Sequence, residues 1–207
     1  TAKPLRAASW SRFVEVCGVA SAYSLPEARQ ALANGVFELV ISPLKASTAS
    51  KASVEWVDSK HQAFRLEARA AGIWANGFRL VVTYRADKFD LAIQSPLGET
   101  VEVHRGLDAK SLADSLQASS AVVHAAEPGN PGEMPAEGEY VLSGGKDASE
   151  GDYLAALQAL SGESDVDMVL AAVQDFSDKN ALVRIYSAVI AHCKQMSSES
   201  QGRIGFG

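Results

Sequence analysis

The residues that come nearest to chemistry are Ser143-Gly-Gly-Lys-Asp147, which follow the strand-like run Tyr140-Val-Leu142. Two adjacent glycines after a strand can turn several backbone N–H groups toward one point, and a neighbouring lysine adds a cation. Together these would make an anion seat. The spacing falls short of the phosphate-loop pattern Gly-x-x-x-x-Gly-Lys-Ser/Thr, and no acidic residue of the dinucleotide-binding type follows about 20 residues on after a strand. Lys146 and Asp147 therefore read as turn residues. The rival reading, an α/β enzyme or anion-binding domain built on Ser143–Lys146, still has to be tested against the structure. Asp165 and Asp167 alternate along a strand-like run, whereas paired hydrolytic acids must oppose each other across a cleft. His61, His104, His124 and His192 show no paired spacing, there is no Cys-x-x-Cys, and no Gly-x-Ser-x-Gly elbow activates a serine. The expectation is no catalytic, cofactor-binding or metal-binding residues, and no enzyme.

The bulk properties narrow the partners. In 207 residues the chain carries 19 Lys and Arg against 25 Asp and Glu, for a net charge of −6. The basic residues are scattered singly, which argues against direct nucleic-acid binding, where a concentrated basic patch is needed. No window of about 18 apolar residues is present, so no helical membrane span is expected. Cys17 and Cys193 sit among apolar neighbours and read as buried thiols in a reducing cytoplasm. The N-terminus has no apolar stretch of the secretory kind.

The elements that would hold these residues fall into two grammars. In residues 1–45, Ser9 to Gly18 has helical apolar spacing at Trp10, Phe13, Val14 and Cys17. Ser24-Leu-Pro-Glu27 reads as a capping box that starts a helix ending at Asn34-Gly35, and Val36–Ser42 reads as a strand buried on both faces. Beyond a small polar linker at 46–52 the period changes. Five runs alternate apolar and polar residues: from Val54, Ala63, Phe78, Phe89 and Thr100. They are spaced as in an antiparallel sandwich. Asp108 reads as the cap of a short helix, and Ala121–Ala125 as a closing strand. Glu127–Glu139, with three prolines, reads as a loop. From residue 136 the α/β grammar resumes, with a helix from Gly151 through Leu160, a strand at Asp165–Val173, a helix from Asp178 and a strand at Arg203. The expected fold class is α/β, with a divided α/β domain (1–45 and 136–207) and an inserted antiparallel β-rich, sandwich-like domain (46–135).

Between the inserted strands lies Gly72-Ile-Trp-Ala-Asn-Gly77, a sharp turn with a tryptophan expected to pack against the sheet. Taken in order, the segments resemble the contractile tail sheath family of bacteriophages and related injection machines. The matching passages are Pro4 to Gly18, the helix, Asn34-Gly35 and strand of 25–41, Phe64 to Gly77, Leu142–Asp147 with Asp165-Val-Asp167, and Ala191-His-Cys193 with Gly202-Arg-Ile204. Ala75 and Val36 stand where the family usually has glycine, and no glycine closes Lys146-Asp147-Ala148. The resemblance implies a structural subunit without enzymatic activity, corresponding to the central part of such a protein without its extended terminal arms. It also implies partners: other copies of itself in a helical sheath, an inner tail tube protein and a baseplate. The location would be the virion tail, assembled in the host cytoplasm, where contraction drives genome delivery.

Overall fold

The computed structural model describes residues 3–44, 48–57, 63–126, 131, 133–198 and 202–206, so His61 and parts of the 46–52 and 127–139 loops lie outside the described residues. The fold is mixed α/β with several antiparallel sheets. The chain divides into two compact units, residues 1–49 with 147–207, and Ser50–Lys146.

In the first unit, β1 (Leu5–Ala7) pairs antiparallel with β2 (Leu39–Ile41), and between them lie α1 (Trp10–Cys17), α2 (Ser21–Ser24) and α3 (Pro26–Ala33). Ser9 caps α1 by accepting from Arg12 N, and Gly18 ends it at φ 86°. Phe13 is fully buried with Ala7 and Ala28, while Trp10, Leu25, Leu32, Leu39 and Ile41 pack around them. Later in the chain come α5 (Glu150–Ala159), β10 (Met168–Leu170), α6 (Lys179–Met196) and β11 (Ile204–Phe206). Ser149 and Asp152 form a capping box on α5, and Asp178 caps α6 through Asn180 N and Ala181 N. β10 and β11 pair in parallel, and Val169, Val189, Cys193, Leu157 and Leu160 form a second apolar cluster. Hydrogen bonds join the two halves of this unit: Ser42 Oγ donates to Ala156 O at 2.8 Å, and Gln174 Nε2 to Ser24 O at 2.6 Å.

Several expectations for this unit need correction. Ser24 caps nothing. It ends the short α2, its carbonyl accepts from Gln174, and Leu25 is the N-cap of α3 with no side-chain bond. Pro26 does occupy the first turn. The strand expected over Val36–Ser42 shrinks to three half-buried residues, and Phe37 is 89% exposed. Within it Leu39 and Ile41 pack on the Phe13 cluster and Val40 on the cluster of Val169 and Val189, so both faces are partly covered, while Phe37 lies before the strand. The strand expected at Asp165–Val173 likewise reduces to Met168–Leu170.

The second unit holds two antiparallel sheets. β3 (Ser53–Val57), β4 (Ala63–Ala68) and β8 (Val123–Ala125) form one, in the order β3-β4-β8. β5 (Arg79–Arg85), β6 (Lys88–Gln94), β7 (Thr100–Leu107) and β9 (Gly138–Val141) form the other, in the order β7-β6-β5-β9. Alternation sends Leu80, Val82, Phe89, Leu91 and Ile93 inward, all at most 1% exposed. Trp56 joins the sheets: it stacks on Phe64 at 5.4 Å and meets Phe89 and Tyr140 edge-on at 6.4 and 5.8 Å. The β5–β6 hairpin turns through Ala86, at φ 58°. α4 (Leu112–Ser119) buries Leu112 and Leu116. Asp108 does not cap α4 directly. Its carboxylate accepts from Lys110 N, Ser111 N and Ser111 Oγ, shaping the turn that precedes the helix.

The expected boundary at 135/136 also moves. Gly138–Val141 pairs with Arg79–Val82 in the four-stranded sheet. Ser143 and Lys146 then bridge to Ser53 and Ser50, beside the three-stranded one. One continuous segment, 138–146, therefore ties both sheets together. Its alternating pattern was too short to distinguish it from the start of an α/β strand.

Candidate functional site

The glycine loop at 143–146 and the Gly72–Gly77 turn meet in the second unit. After the 3₁₀ turn Ile73–Ala75, Asn76 has φ −62° and ψ 133°, Gly77 has φ 81°, and Phe78 N donates to Ala75 O at 3.2 Å. This is a type II turn, in which the glycine supplies the positive φ. Asn76 is thus not the residue that makes the reversal possible. Its side chain does something else: Nδ2 donates to Gly145 O at 3.0 Å and Oδ1 accepts from Gly145 N at 2.9 Å. A single amide pairs with the backbone of Gly145 as a neighbouring strand would.

Around this clasp the backbone donors of Ser143, Gly145 and Lys146 are engaged. Ser143 N donates to Ser53 O at 3.1 Å and Lys146 N to Ser50 O at 3.0 Å; Ser50 O also accepts from Gly72 N at 3.1 Å. Ser50 N returns a bond to Lys146 O, and Ser50 Oγ donates to Gly144 O at 2.7 Å. Gly77 N and Leu142 O, then Leu142 N and Phe78 O, continue the ladder at 2.9 Å each. A Cβ on Gly145 would lie 2.3 Å from Gly72 O and 3.0 Å from Asn76 Oδ1. The glycine at 145 is therefore required by the close approach of Gly72 and not by an incoming phosphate. With the amides of Ser143, Gly145 and Lys146 directed at protein oxygens, the loop does not converge them on an anion, as a nest requires.

Trp74 stands in the turn that carries the clasp. It is half-buried, donates from Nε1 to Ala70 O at 3.2 Å, and meets Phe78 edge-on at 5.9 Å. The expected packing against the sheet is thus partial.

The remaining candidates are separated. Asp165 accepts twice from Arg6, at 2.8 and 2.9 Å, and Arg6 also reaches Glu38 at 2.6 Å and Glu163 at 2.5 Å. These bonds hold the Asp165 carboxyl below its usual range and raise the Arg6 pKa. Asp167 shares none of these hydrogen bonds, so the two aspartates do not act as a pair. Its backbone carbonyl accepts from Ile204 N. His192 is buried and faces Arg203, whose Nη1 lies 2.9 Å from its Nε2. Burial, then the Arg203 charge, pushes the His192 pKa down. Arg203 also donates to Val166 O at 2.9 Å and Glu163 O at 2.5 Å, both uncharged carbonyls. His124 is held low by burial, then by Lys51 and Arg69. Cys17 and Cys193 are free thiols, both pushed up by burial.

One constellation escaped the sequence reading. His104 Nε2 lies 3.1 Å from Glu102 Oε2, and its Nδ1 lies 3.2 Å from Ser119 Oγ. A Ser-His-Glu set invites comparison with a nucleophilic triad. The surroundings point to a structural role. Glu102 is saturated by Ser120 Oγ at 2.7 Å and Ala121 N at 2.8 Å as well as by His104, and Ser119 Oγ donates to Ser115 O at 2.7 Å. Burial alone would raise the Glu102 pKa, yet these bonds bring it below the usual value. The serine, histidine and glutamate bind β7 to the turn between α4 and β8. Only Glu102-x-His104 was adjacent in sequence, so nothing marked Ser119 as its neighbour.

No protein-family model and no curated protein matches the chain. Comparison with solved structures finds the crystal structure of a sheath tail protein from Listeria innocua, 18% identical over 96% of this chain, with a TM-score of 0.49. The aligned region covers 42% of that protein, so the chain spans less than half of its length.

Proposed function

We propose that this chain is part of a structural subunit of a contractile phage tail sheath, without enzymatic activity. It assembles with copies of itself around an inner tail tube and against a baseplate, in the virion tail after assembly in the host cytoplasm. Contraction changes the packing between subunits and drives genome delivery. The proposal starts from the five sequence passages that resemble the sheath family in order. The observation that carries it is the fate of the glycine loop. The strongest chemical motif in the sequence is closed by Asn76, Ser50 and Ser53, and the most recognisable landmark of the family resemblance, Gly72–Gly77, is what closes it. Two motifs that looked separate are one structural joint.

A sheath must move between packing states, which requires stiff bodies joined by replaceable contacts. A β unit fixed by side-chain and backbone bonds on a six-residue turn suits the stiff body. Electron microscopy of the full-length protein should show tubes or rings, and monodisperse monomers at every salt and concentration would defeat the reading. The enzyme or anion-binding alternative predicts the opposite pattern. Inorganic phosphate or a nucleotide would raise the melting temperature, and Lys146→Ala would abolish that rise.

A further inference from the structure

β10 and β11 turn one face to α6 and leave the other bare. On the inner side Val169 is buried, and Gly205 is so close to the helix that an added Cβ would come within 2.9 Å of Val189 Cγ1. Alternation sends Met168, Leu170, Ile204 and Phe206 outward, where they are 59%, 55%, 59% and 47% exposed. The register places Met168 beside Ile204 and Leu170 beside Phe206, so the four form one continuous apolar patch. Chain acids lead into it. Glu38, Glu163 and Asp165 with Arg6 make a hydrogen-bonded group of net charge −2, and Asp167 stands next to Met168.

The opposite side of the same layer pair has the complementary character. α6 presents Ile185, Val189 and Cys193 inward. Its outer stripe runs through Lys179, Val183, Ser187, Ile190 and Lys194, all exposed, with no acidic residue between Lys179 and Met196. Val183 and Ile190 lie about 10 Å apart along the helix, and Met168 and Leu170 about 7 Å along the strand. Within one molecule these faces point away from each other. Between two molecules they can meet, aliphatic side chains onto the patch and one of the two lysines, which lie about 22 Å apart at opposite ends of the stripe, toward the acidic end.

We infer that the outer face of β10–β11 receives the outer stripe of α6 from a second copy of this chain. The inference deepens the sheath-subunit reading and rests on it for choosing a second copy as the occupant. The contact is heterologous, the same molecule offering one face to each of two neighbours, so it propagates instead of stopping at a dimer. A patch of this size falls below the roughly 1,600 Å² of a standard interface, which makes the contact weak and exchangeable.

Sedimentation velocity of the 207-residue chain tests it. The average sedimentation coefficient should climb with concentration without reaching a dimer plateau, and should fall as salt is added. Met168→Glu with Phe206→Glu breaks the sheet face, and Val183→Glu with Ile190→Glu breaks the helix stripe. Each double variant should be monomeric, and a mixture of the two should form one-to-one pairs, because each supplies the face the other lacks. Lys179→Glu with Lys194→Glu alters no packed residue and should weaken association about tenfold, so the test survives misfolding of the apolar variants. A monomer at all concentrations, or folded variants that fail to pair when mixed, would overturn the inference and assign the patch to a different partner. Electron microscopy of full-length protein separates the two readings. Tubes that form equally well with the lysines reversed defeat this docking but leave the subunit reading standing.

Discussion

The two units of this chain are held together in different ways. Of the largest fully buried side chains among the described residues, all but Phe13 belong to Ser50–Lys146. That unit has two sheets facing each other across Trp56, and a segment that pairs with both. The other unit has two separate two-stranded sheets and two small clusters, and two-stranded pieces are marginal alone. It also carries most of the exposed large apolar side chains, from Phe37 through Met168 and Leu170 to Ile204 and Phe206. One unit buries most of its large apolar side chains, and the other leaves more of them on surfaces that neighbours can cover.

The contrast is easiest to break at the clasp. Gly145→Ala forces a methyl against Gly72 O, a backbone atom that cannot move without dragging the turn. It should destabilise the protein by about 3 kcal/mol, read from urea unfolding. A loss under about 1 kcal/mol would mean that the joint is loose. Asn76→Ala removes both bonds to Gly145 and should cost roughly 2 kcal/mol, and Asn76→Asp at least as much, because it sets a carboxylate oxygen against Gly145 O where the amide donated. Trp74→Ala should cost less than a fully buried tryptophan would, about 1–2 kcal/mol, since the residue is only partly buried.

The other unit should respond to pH and salt. Burial and Arg203 keep His192 below its ordinary value of 6.5, so below that pH the unfolded chain takes up a proton that the folded chain refuses. Stability from this group is complete above pH 6.5 and declines as pH falls from there through the lower folded value. His192→Gln, which retains an acceptor for Arg203, should flatten that decline in thermal melts, and an unchanged slope would remove His192 as its cause. The smallest effect belongs to Arg6→Ala. Arg6 keeps Asp165 ionised to lower pH, so its contribution is present above the ordinary carboxylate value of 3.8 and is lost as pH falls through the lower one. Because the group is exposed, salt should erase most of the difference between variant and parent.

The sequence was most informative where local pattern and burial agreed. Ser9, Gly18, Asn34-Gly35, Asp178 and the alternating strands of the second unit all carry their structure in spacing that solvent and sterics enforce. It was least informative where a pattern depended on partners far away. Val36–Ser42 is apolar enough for a fully buried strand, yet only Leu39–Ile41 forms one, half-buried between two small clusters. Ser24 carries a capping signature, yet it ends another helix. Tyr140 to Lys146 reads as the start of an α/β unit until Arg79 and Ser53 claim it. The candidate loop was visible at once, whereas its meaning was not, since the oxygen that fixes Gly145 as glycine comes from Gly72. His104 and Ser119 meet only because β7 and α4 pack together, and periodicity does not encode that contact.

Amide hydrogen exchange on the intact protein tests the contrast most directly, by comparing Gly145 with Ile204. Gly145 N donates to a side chain inside the closed unit, and Ile204 N donates to Asp167 O in a two-stranded sheet. The account predicts that Gly145 is protected to the limit of global unfolding in monomer and assembly alike. Ile204 should exchange early in the monomer and become protected on assembly. Rapid exchange at Gly145, or an Ile204 amide equally protected in both states, would contradict it.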